Sequence, residues 1–249
     1  MTLKLALVCG AASLALAGAA RADCAKLPNH AQLHQVLVAS VKPAGGPSNG
    51  GFDLHMWATI VDRDGKVCAV TFSGGDRGDQ FPGSRIISAQ KAYTANAFSL
   101  NGFALSTANL FTAVQPGGSL FGLQGSNLMN PAVAFAGNAE DYGTERDPMV
   151  GEHLGGVIVF GGGLALYEKT GVVGAVGVSG DSSCADHNIA WRVRKALALG
   201  NVPAGVSPNK DDGIVYDIAA GASKSGWGHP TCGGKEPDVA KDIGAGVGP

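Results

Sequence analysis

Histidine side chains carry much of this chain's capacity for metal binding and acid–base chemistry, because neutral imidazole is the commonest metal ligand in proteins. His34 falls in a predicted helix and His55 in the predicted strand that follows it. Each of these two is either a metal ligand or a hydrogen-bonded surface residue. His187 stands beside Asp186 and close to Asp181 near a predicted helix start. It is therefore either a metal or acid–base group or a polar residue of the helix terminus.

Cysteines are the second group with chemical capacity. After residue 22 the chain contains four of them, Cys24, Cys68, Cys184 and Cys232. An even number is typical of disulfides in an oxidising compartment, and three pairings are open. The spacing contains no C-x-x-C and no zinc pattern, so structural disulfides are favoured over metal or redox chemistry. Cys232 lies in a glycine-rich tail, which a bridge would tie to the body of the protein.

The sequence lacks the motifs of several enzyme classes. It has no G-x-S-x-G nucleophile turn, no H-E-x-x-H zinc helix and no Walker loop. The triplet Gly161–Gly163 is either an anion-binding turn or a tight turn, and its place before a strand favours the tight turn. We therefore predict no catalytic residue from motifs.

Residues 1–22 have the features of a secretory signal peptide. Lys4 is followed by an apolar run and then by Ala20-Arg21-Ala22, before Asp23. A basic start, an apolar centre and an A-x-A end are typical of a cleavable signal. No later stretch reaches the ~18 apolar residues that a membrane span needs. We predict a mature chain that begins at Asp23, has no membrane span, and lies in the periplasm or outside the cell.

The charge distribution argues against two classes of partner. Loss of Lys4 and Arg21 with the signal reduces the 18 basic residues to 16, against 20 acidic ones. These basic residues form no run, so neither nucleic acid nor an anionic membrane is a predicted partner. Charged residues make up only 15% of the chain. This favours apolar surface covered by further subunits, and a glycine-rich monomer is the alternative.

The predicted elements alternate helices with two hairpins. In chain order they are a helix from residue 30, a hairpin at 52–72, a helix capped by Ser84, a second helical stretch at 105–114, a surface excursion at 120–154, a hairpin at 164–178 and a helix that ends near 199. Antiparallel hairpins separated by helices indicate an α+β domain with one antiparallel sheet. We predict a signal peptide at 1–22, a domain at 23–200 and a loosely structured, glycine- and proline-rich C-terminal extension at 201–249.

Two stretches have the small residues that close packing requires. Glycine recurs at every third position of the last strand, which fits neither of its faces, and predicts close approach of another backbone or a ligand. These residues are Gly171, Gly174, Gly177 and Gly180. The alanine-rich helix after Ser84 packs either on a sheet or against its copy in another subunit. In the second case Ala92 and Ala95 would lie in the interface.

Four segments, in this order, resemble the GlcG/HbpS-like family (DUF336, haem-degrading type). They are Ala58–Gly65, Lys91–Ala95, Gly161–Tyr167 and Val173–Gly180. The resemblance spans roughly residues 28–199. It implies a profilin-like or PAS-like fold, with a five-stranded antiparallel sheet and flanking helices, and assembly into homo-oligomers.

The same resemblance implies a function. Exported members of the family bind haem and some degrade it, so we expect an exported haem-binding protein, with haem breakdown as a further activity. A non-catalytic PAS-like module for another small molecule or for assembly is the alternative, and an enzyme acting on a small organic acid is a third class.

Haem iron takes His, Met, Cys or Tyr as an axial ligand. We expect His34 or His55 to reach the iron from a pocket between the first helix and the first strand. The lining residues predicted for this pocket are Leu33, Leu37, Met56 and Tyr93. Tyr93, or a site between subunits, is the next candidate if neither histidine is the ligand.

Overall fold

The computed structural model describes residues 23–41 and 49–247, so the predicted signal peptide lies outside the described residues. Within them the helices are α1 (His30–Val41), α2 (Ser84–Ala97), α3 (Leu123–Ser126), α4 (Pro131–Ala134), α5 (Ser183–Ala196) and α6 (Glu236–Ile243). Three short 3₁₀ helices lie at Cys24–Lys26, Thr112–Val114 and Ala139–Asp141. The strands are β1 (Trp57–Asp62), β2 (Val67–Phe72), β3 (Gly163–Glu168), β4 (Gly171–Ser179), β5 (Ile214–Val215), β6 (Ile218–Ala219), β7 (Ala222–Ser223) and β8 (Gly246–Val247).

Four strands form the main sheet in the order β2-β1-β4-β3, and every neighbouring pair is antiparallel. The predicted α+β class and antiparallel sheet are therefore confirmed, with four strands among the described residues where the resemblance implied five. Irregular segments close the edge beyond β3. The amide of Tyr167 donates to Leu199 O, the amide of Asn201 to Tyr167 O, and the amide of Thr107 to Gly163 O. These hydrogen bonds occupy the edge where a fifth strand would pair.

The two faces of the sheet carry different helices. On β1, Ala58 and Ile60 belong to a core cluster with side chains of α1 and α5. Trp57 and Val61 occupy the alternate positions and pack with three buried alanines of α2, Ala89, Ala92 and Ala95. Because successive strand residues point to opposite faces, α1 and α5 cover one face and α2 covers the other.

α2 lies directly on the sheet of its own chain. A Cβ atom at Gly177 would collide with the carbonyl oxygen of Ser88, so the predicted close approach is confirmed where α2 crosses β4. Ala92 and Ala95 have no exposed surface. Of the two alternatives for this helix, packing on the sheet is therefore confirmed, and the interface alternative is wrong for these two residues. An arginine at either position would place an unpaired charge inside the fold, with no interface for it to split.

Two predicted helix features differ in the structure. Ser84 is the first residue of α2, and Gly83 takes the cap position without a side-chain cap. Residues 105–114 form turns, with a 3₁₀ helix only at the end. Ser106 and Asn109 explain this, because the Ser106 amide donates to Asn109 Oδ1 and the Asn109 amide donates to Ser106 Oγ. Such local side-chain bonds compete with helical ones.

Residues 201–247 are packed against the domain, so the prediction of a loose extension is wrong. Ile214, Ala240 and Ala245 are buried in a cluster with Cys184 of α5. The cysteines pair as Cys24–Cys68 and Cys184–Cys232, and the second bridge ties this segment down as expected. Across the described ranges, none of the helices combines the length and apolar character that crossing a bilayer requires.

Candidate functional site

The two predicted histidines meet at one end of β2. His34 Nδ1, on α1, lies 3.0 Å from Phe72 O and 3.1 Å from Thr71 Oγ1. His55 Nδ1, just before β1, lies 3.1 Å from the hydroxyl of Ser73. Thr71, Phe72 and Ser73 are consecutive, and both imidazole rings are half-buried. The structure therefore brings His34 and His55 to one small region.

His34 is held in the form that can bind a metal. The carbonyl of Phe72 only accepts hydrogen bonds, so Nδ1 of the neutral ring carries the proton and Nε2 keeps a lone pair. Among the described residues Nε2 of His34 has no hydrogen-bond partner. The ring of His30 stacks on it in parallel, with centroids 6.2 Å apart. The tautomer of His55 is open, because the hydroxyl of Ser73 both donates and accepts.

An apolar cleft of about 430 Å³ is lined by Leu54, the residue that precedes His55 in the chain. Its walls are Phe52, Leu54 and Phe81, with Asp181 at one side. The side chains of Phe52 and Phe81 are 74% and 62% exposed, which leaves much of each aromatic ring open to a ligand. A smaller groove of about 170 Å³ shares Leu54 and Phe81 with it. Exposed aromatic residues around a cleft of this size are typical of a site for an apolar ligand.

Asp181 holds the wall of this cleft in place. Its two carboxylate oxygens accept the amide of Phe52 at 2.9 and 3.0 Å, and Oδ2 also accepts the amide of Leu54 at 3.2 Å. Asp53, between these two residues, has a left-handed φ of 60°. Asp tolerates this conformation better than most residues. Asp181 therefore acts on the shape of the cleft, and it has no acid–base contact with His187.

Tyr93 and the predicted apolar lining lie elsewhere. Leu33, Leu37 and Met56 have no exposed surface and fill the core, so the predicted pocket between α1 and β1 is solidly packed. Tyr93 is on α2, across the sheet from α1, and its ring contacts the turn at Gly65. That turn and the histidines lie at opposite ends of β1, roughly 17 Å of strand apart. The structure does not bring Tyr93 to the two histidines, and its role as a ligand stays a prediction.

A buried ion pair joins the two helical layers. Lys91 Nζ, on α2, lies 2.6 Å from Asp186 Oδ2, on α5, and 3.1 Å from Val178 O. Burial lowers the pKa of Lys91 and raises the pKa of Asp186 to about 6. The backbone of Gly162 packs against this ion pair, because a Cβ atom at Gly162 would lie only 2.9 Å from Lys91 Nζ. Because neither side chain is open to solvent, this pair serves the structure and does not present a catalytic group.

His187 and His229 are also buried. Burial lowers the pKa of His187 to about 3, and its Nε2 lies 3.1 Å from Ala245 O. His187 lies close to the start of α5 at Ser183, as predicted, and a role as a metal or acid–base group stays a prediction. Burial likewise lowers the pKa of His229 to about 4. His229 lies near Cys184 and Cys232, which would be zinc-type ligands, but both sulfurs are held in the disulfide.

The apolar cleft was not predicted from the sequence. Phe52 and Phe81 stand in glycine-rich, polar loops, where a large aromatic residue has no core to enter. Large aromatic residues within polar, glycine-rich loops were therefore the sequence feature from which an exposed apolar site could have been predicted. The role of Asp181 had no signal in the sequence, because its partners are backbone amides more than a hundred residues earlier.

Comparison with protein families gives one match. A model of the family described as "Haem degrading protein HbpS-like" matches residues 53–194. No curated protein matches the chain.

Several solved structures are similar. Protein ORFY of Klebsiella pneumoniae, of family DUF336, is 26% identical, with 69% of this chain and 90% of that chain covered and a TM-score of 0.46. A structure of PduOC in complex with haem is 24% identical, with coverage of 68% and 92% and a TM-score of 0.47. A double mutant of HbpS from Streptomyces reticuli is 16% identical, with coverage of 78% and 99% and a TM-score of 0.43.

Proposed function

This chain belongs to the HbpS-like family, and we propose on that basis that it is an exported haem-binding protein. The family's description names haem as what its members degrade. The signal pattern at residues 1–22 and the two disulfides support export to the periplasm or the medium. N-terminal sequencing of secreted material should begin at Asp23, and an intact Met1 in a cytoplasmic fraction would contradict export.

The observation that carries the proposal is the apolar cleft lined by Phe52, Leu54 and Phe81, next in the chain to His55. Haem is a large apolar plate, so its burial against Phe52, Leu54 and Phe81 supplies most of the affinity. An axial imidazole then sets the orientation and the spectrum. His55 directly follows Leu54 of the cleft wall in the chain, and Nε2 of His34 has no hydrogen-bond partner among the described residues.

A haemin titration tests this proposal. Purified mature protein should develop a saturable Soret band, and His34→Ala and His55→Ala are each titrated in parallel. His153→Ala is the matched control, because His153 is exposed in a loop away from the cleft. We expect the variant of the ligating histidine to change the absorption bands more than it changes haemin retention. Loss of the Soret band over time with ascorbate in air would report haem breakdown.

The outcomes separate the remaining ligands. Parental spectra in both histidine variants would leave Tyr93 or a site between subunits, and Tyr93→Phe is the next variant. If the unmodified protein gives no saturable band, the haem proposal fails. A non-catalytic, PAS-like module for another small molecule or for assembly then takes its place.

We also propose a profilin- or PAS-like classification and a homo-oligomeric state. Exposed side chains support assembly, since Phe121, Leu128 and Phe135 of the 120–154 excursion are 66%, 80% and 65% exposed. Large exposed apolar residues are typical of interaction surfaces. Light scattering should give a multiple of the chain mass, and a monomeric mass would exclude the assembly.

A further inference from the structure

A larger cleft, of about 610 Å³, lies where residues 201–247 meet the end of α5. We call it the extension cleft. Trp191 and Lys195 contribute from α5, Gly200 and Asp211 from the segment after it, and Ile243 and Gly244 from the end of α6. Most of this lining follows residue 194, where the family match ends. The cleft is therefore formed by the part of the chain outside that match.

Two charged side chains of this cleft, Asp211 and Lys195, can still bind a ligand, because neither forms an ion pair within the described part of the chain. Arg194 is not one of them, because Asp212 neutralises it through bonds of 2.6 and 2.7 Å. Asp211 uses Oδ1 to accept the amide of Gly213 at 2.9 Å and the hydroxyl of Ser207. Its Oδ2 has no partner in the described part of the chain. Lys195 is exposed and makes no ion pair there either.

The backbone adds negative potential to the same cleft. Both α5 and α6 end at it, and the last carbonyl groups of a helix have no partners within the helix. Each helix C-terminus behaves as a partial negative charge that favours a cation. Lys195 stands in the last turn of α5 and partly offsets that charge, on a flexible side chain that is free to move away. Lys241 stands in the last turn of α6 in the same way, and Asp211 adds a full negative charge to the cleft lining.

We propose that the extension cleft binds a small organic cation. Its ammonium group lies against Asp211 and the helix ends, and its apolar body lies against Trp191 and Ile243. The volume fits a ligand of metabolite size. Gly200 lines the cleft, and a Cβ atom there would have no other atom within 4 Å, so this space is open for the ligand.

Three probes that differ in one group test the charge preference. They are 2-phenylethylamine, the neutral 2-phenylethanol and the anionic 3-phenylpropanoate, each titrated into the mature protein by calorimetry. We expect the amine to bind at least tenfold more tightly than the alcohol, with the carboxylate weakest. Equal or tighter binding of the carboxylate would overturn the proposal, and so would an absence of heat with the amine.

Three variants locate the site. Asp211→Asn keeps an acceptor for Gly213 and Ser207 while it removes the charge, and should weaken amine binding at least tenfold. Gly200→Leu should fill the cleft and abolish binding, with little change in melting temperature because the space is empty and the backbone is not left-handed. Lys195→Ala should leave binding unchanged or tighten it. Loss of binding in Lys195→Ala, or full binding in Gly200→Leu, contradicts the assignment. None of these residues lines the apolar cleft, so haemin binding is an independent readout.

Discussion

At the scale of single residues, Asp181 is the side chain on which the apolar cleft most depends. Its carboxylate is the acceptor for two amides of the cleft wall, those of Phe52 and Leu54. Hydrogen bonds to a charged acceptor are about twice as strong as neutral ones. Asp181, which lies at the side of the cleft, therefore fixes the position of Phe52 in its wall through these hydrogen bonds.

We expect Asp181→Asn to weaken haemin binding by about tenfold, since about 1.4 kcal/mol is a factor of ten and charge-assisted bonds contribute on this scale. Asp53→Asn is the matched control, because it makes the same chemical change between the two residues that Asp181 holds, and Asn also tolerates a left-handed φ. Haemin titration and a thermal melt are measured for both. Equal effects of the two variants would show that Asp181 does not position the cleft.

His187 makes stability depend on pH. Its pKa is about 3 in the folded protein, below the ordinary 6.5, so the unfolded chain binds more protons between these values. Stability therefore falls as the pH is lowered through that range, by up to about 1.4 kcal/mol per pH unit.

The His187→Gln variant removes this contribution and keeps a donor for Ala245 O. Urea unfolding at pH 7, 6 and 5 should give a smaller loss of stability at low pH in the variant than in the parent protein. Asp186 contributes with the opposite sign, because its pKa is raised to about 6, but it is present in both proteins and cancels in the comparison. Identical pH slopes would contradict the assignment.

At the scale of elements, the Lys91–Asp186 pair connects α2 on one face of the sheet with α5 on the other. Lys91→Met should destabilise the domain by about 3–5 kcal/mol, because it leaves the carboxylate of Asp186 buried without its counter-ion, with only the amide of Asp181 as a donor among the described residues. Chemical denaturation measures this loss. The double variant Lys91→Met, Asp186→Asn should recover part of it. A double variant as unstable as the single one would show that packing, and not the unpaired charge, causes the loss.

Elements were predictable where the sequence carries a local pattern. The first hairpin follows from alternation on β1 and from Asp64-Gly65 at its turn, and both agree with the structure. The turn at 105–114 was missed because the bonds between Ser106 and Asn109 compete with helix formation. Tyr93 was assigned to the wrong place because a sequence does not tell which face of a sheet each helix covers. His34 and His55 were each predicted as the iron ligand, and the structure brings both to the end of β2, while their role as ligands stays a prediction.

At the scale of the whole molecule, the Cys184–Cys232 bridge fastens residues 201–247 to the domain. These residues also contact the loop before β1, since the amide of Lys235 donates to Gly50 O and Asn188 bonds both Asn49 O and Glu236 O. The bridge therefore supports the extension cleft directly and the apolar cleft through this loop.

Replacement of both Cys184 and Cys232 by serine should lower the free energy of unfolding by about 3–4 kcal/mol, the expectation for a loop of this length. The segment 201–247 should become the first site of limited proteolysis. The matched control is the double serine variant of Cys24 and Cys68, a bridge of similar separation, 44 against 48 residues. Early cleavage of 201–247 in the control, or its protection in the first variant, would contradict this role.

The pairing of β1 with β4 has a consequence for the order in which the chain can fold. Trp57 lies opposite Ser179, so the two central strands come from distant parts of the sequence. During synthesis the first hairpin and α2 emerge long before β4. Until β4 is made, β1 lacks its second neighbouring strand, and the apolar faces of the hairpin and of α2 are not fully covered. Contacts at such separation close slowly. A chain with this topology cannot complete its core until β4 has been made, so its final folding step falls late in its own synthesis.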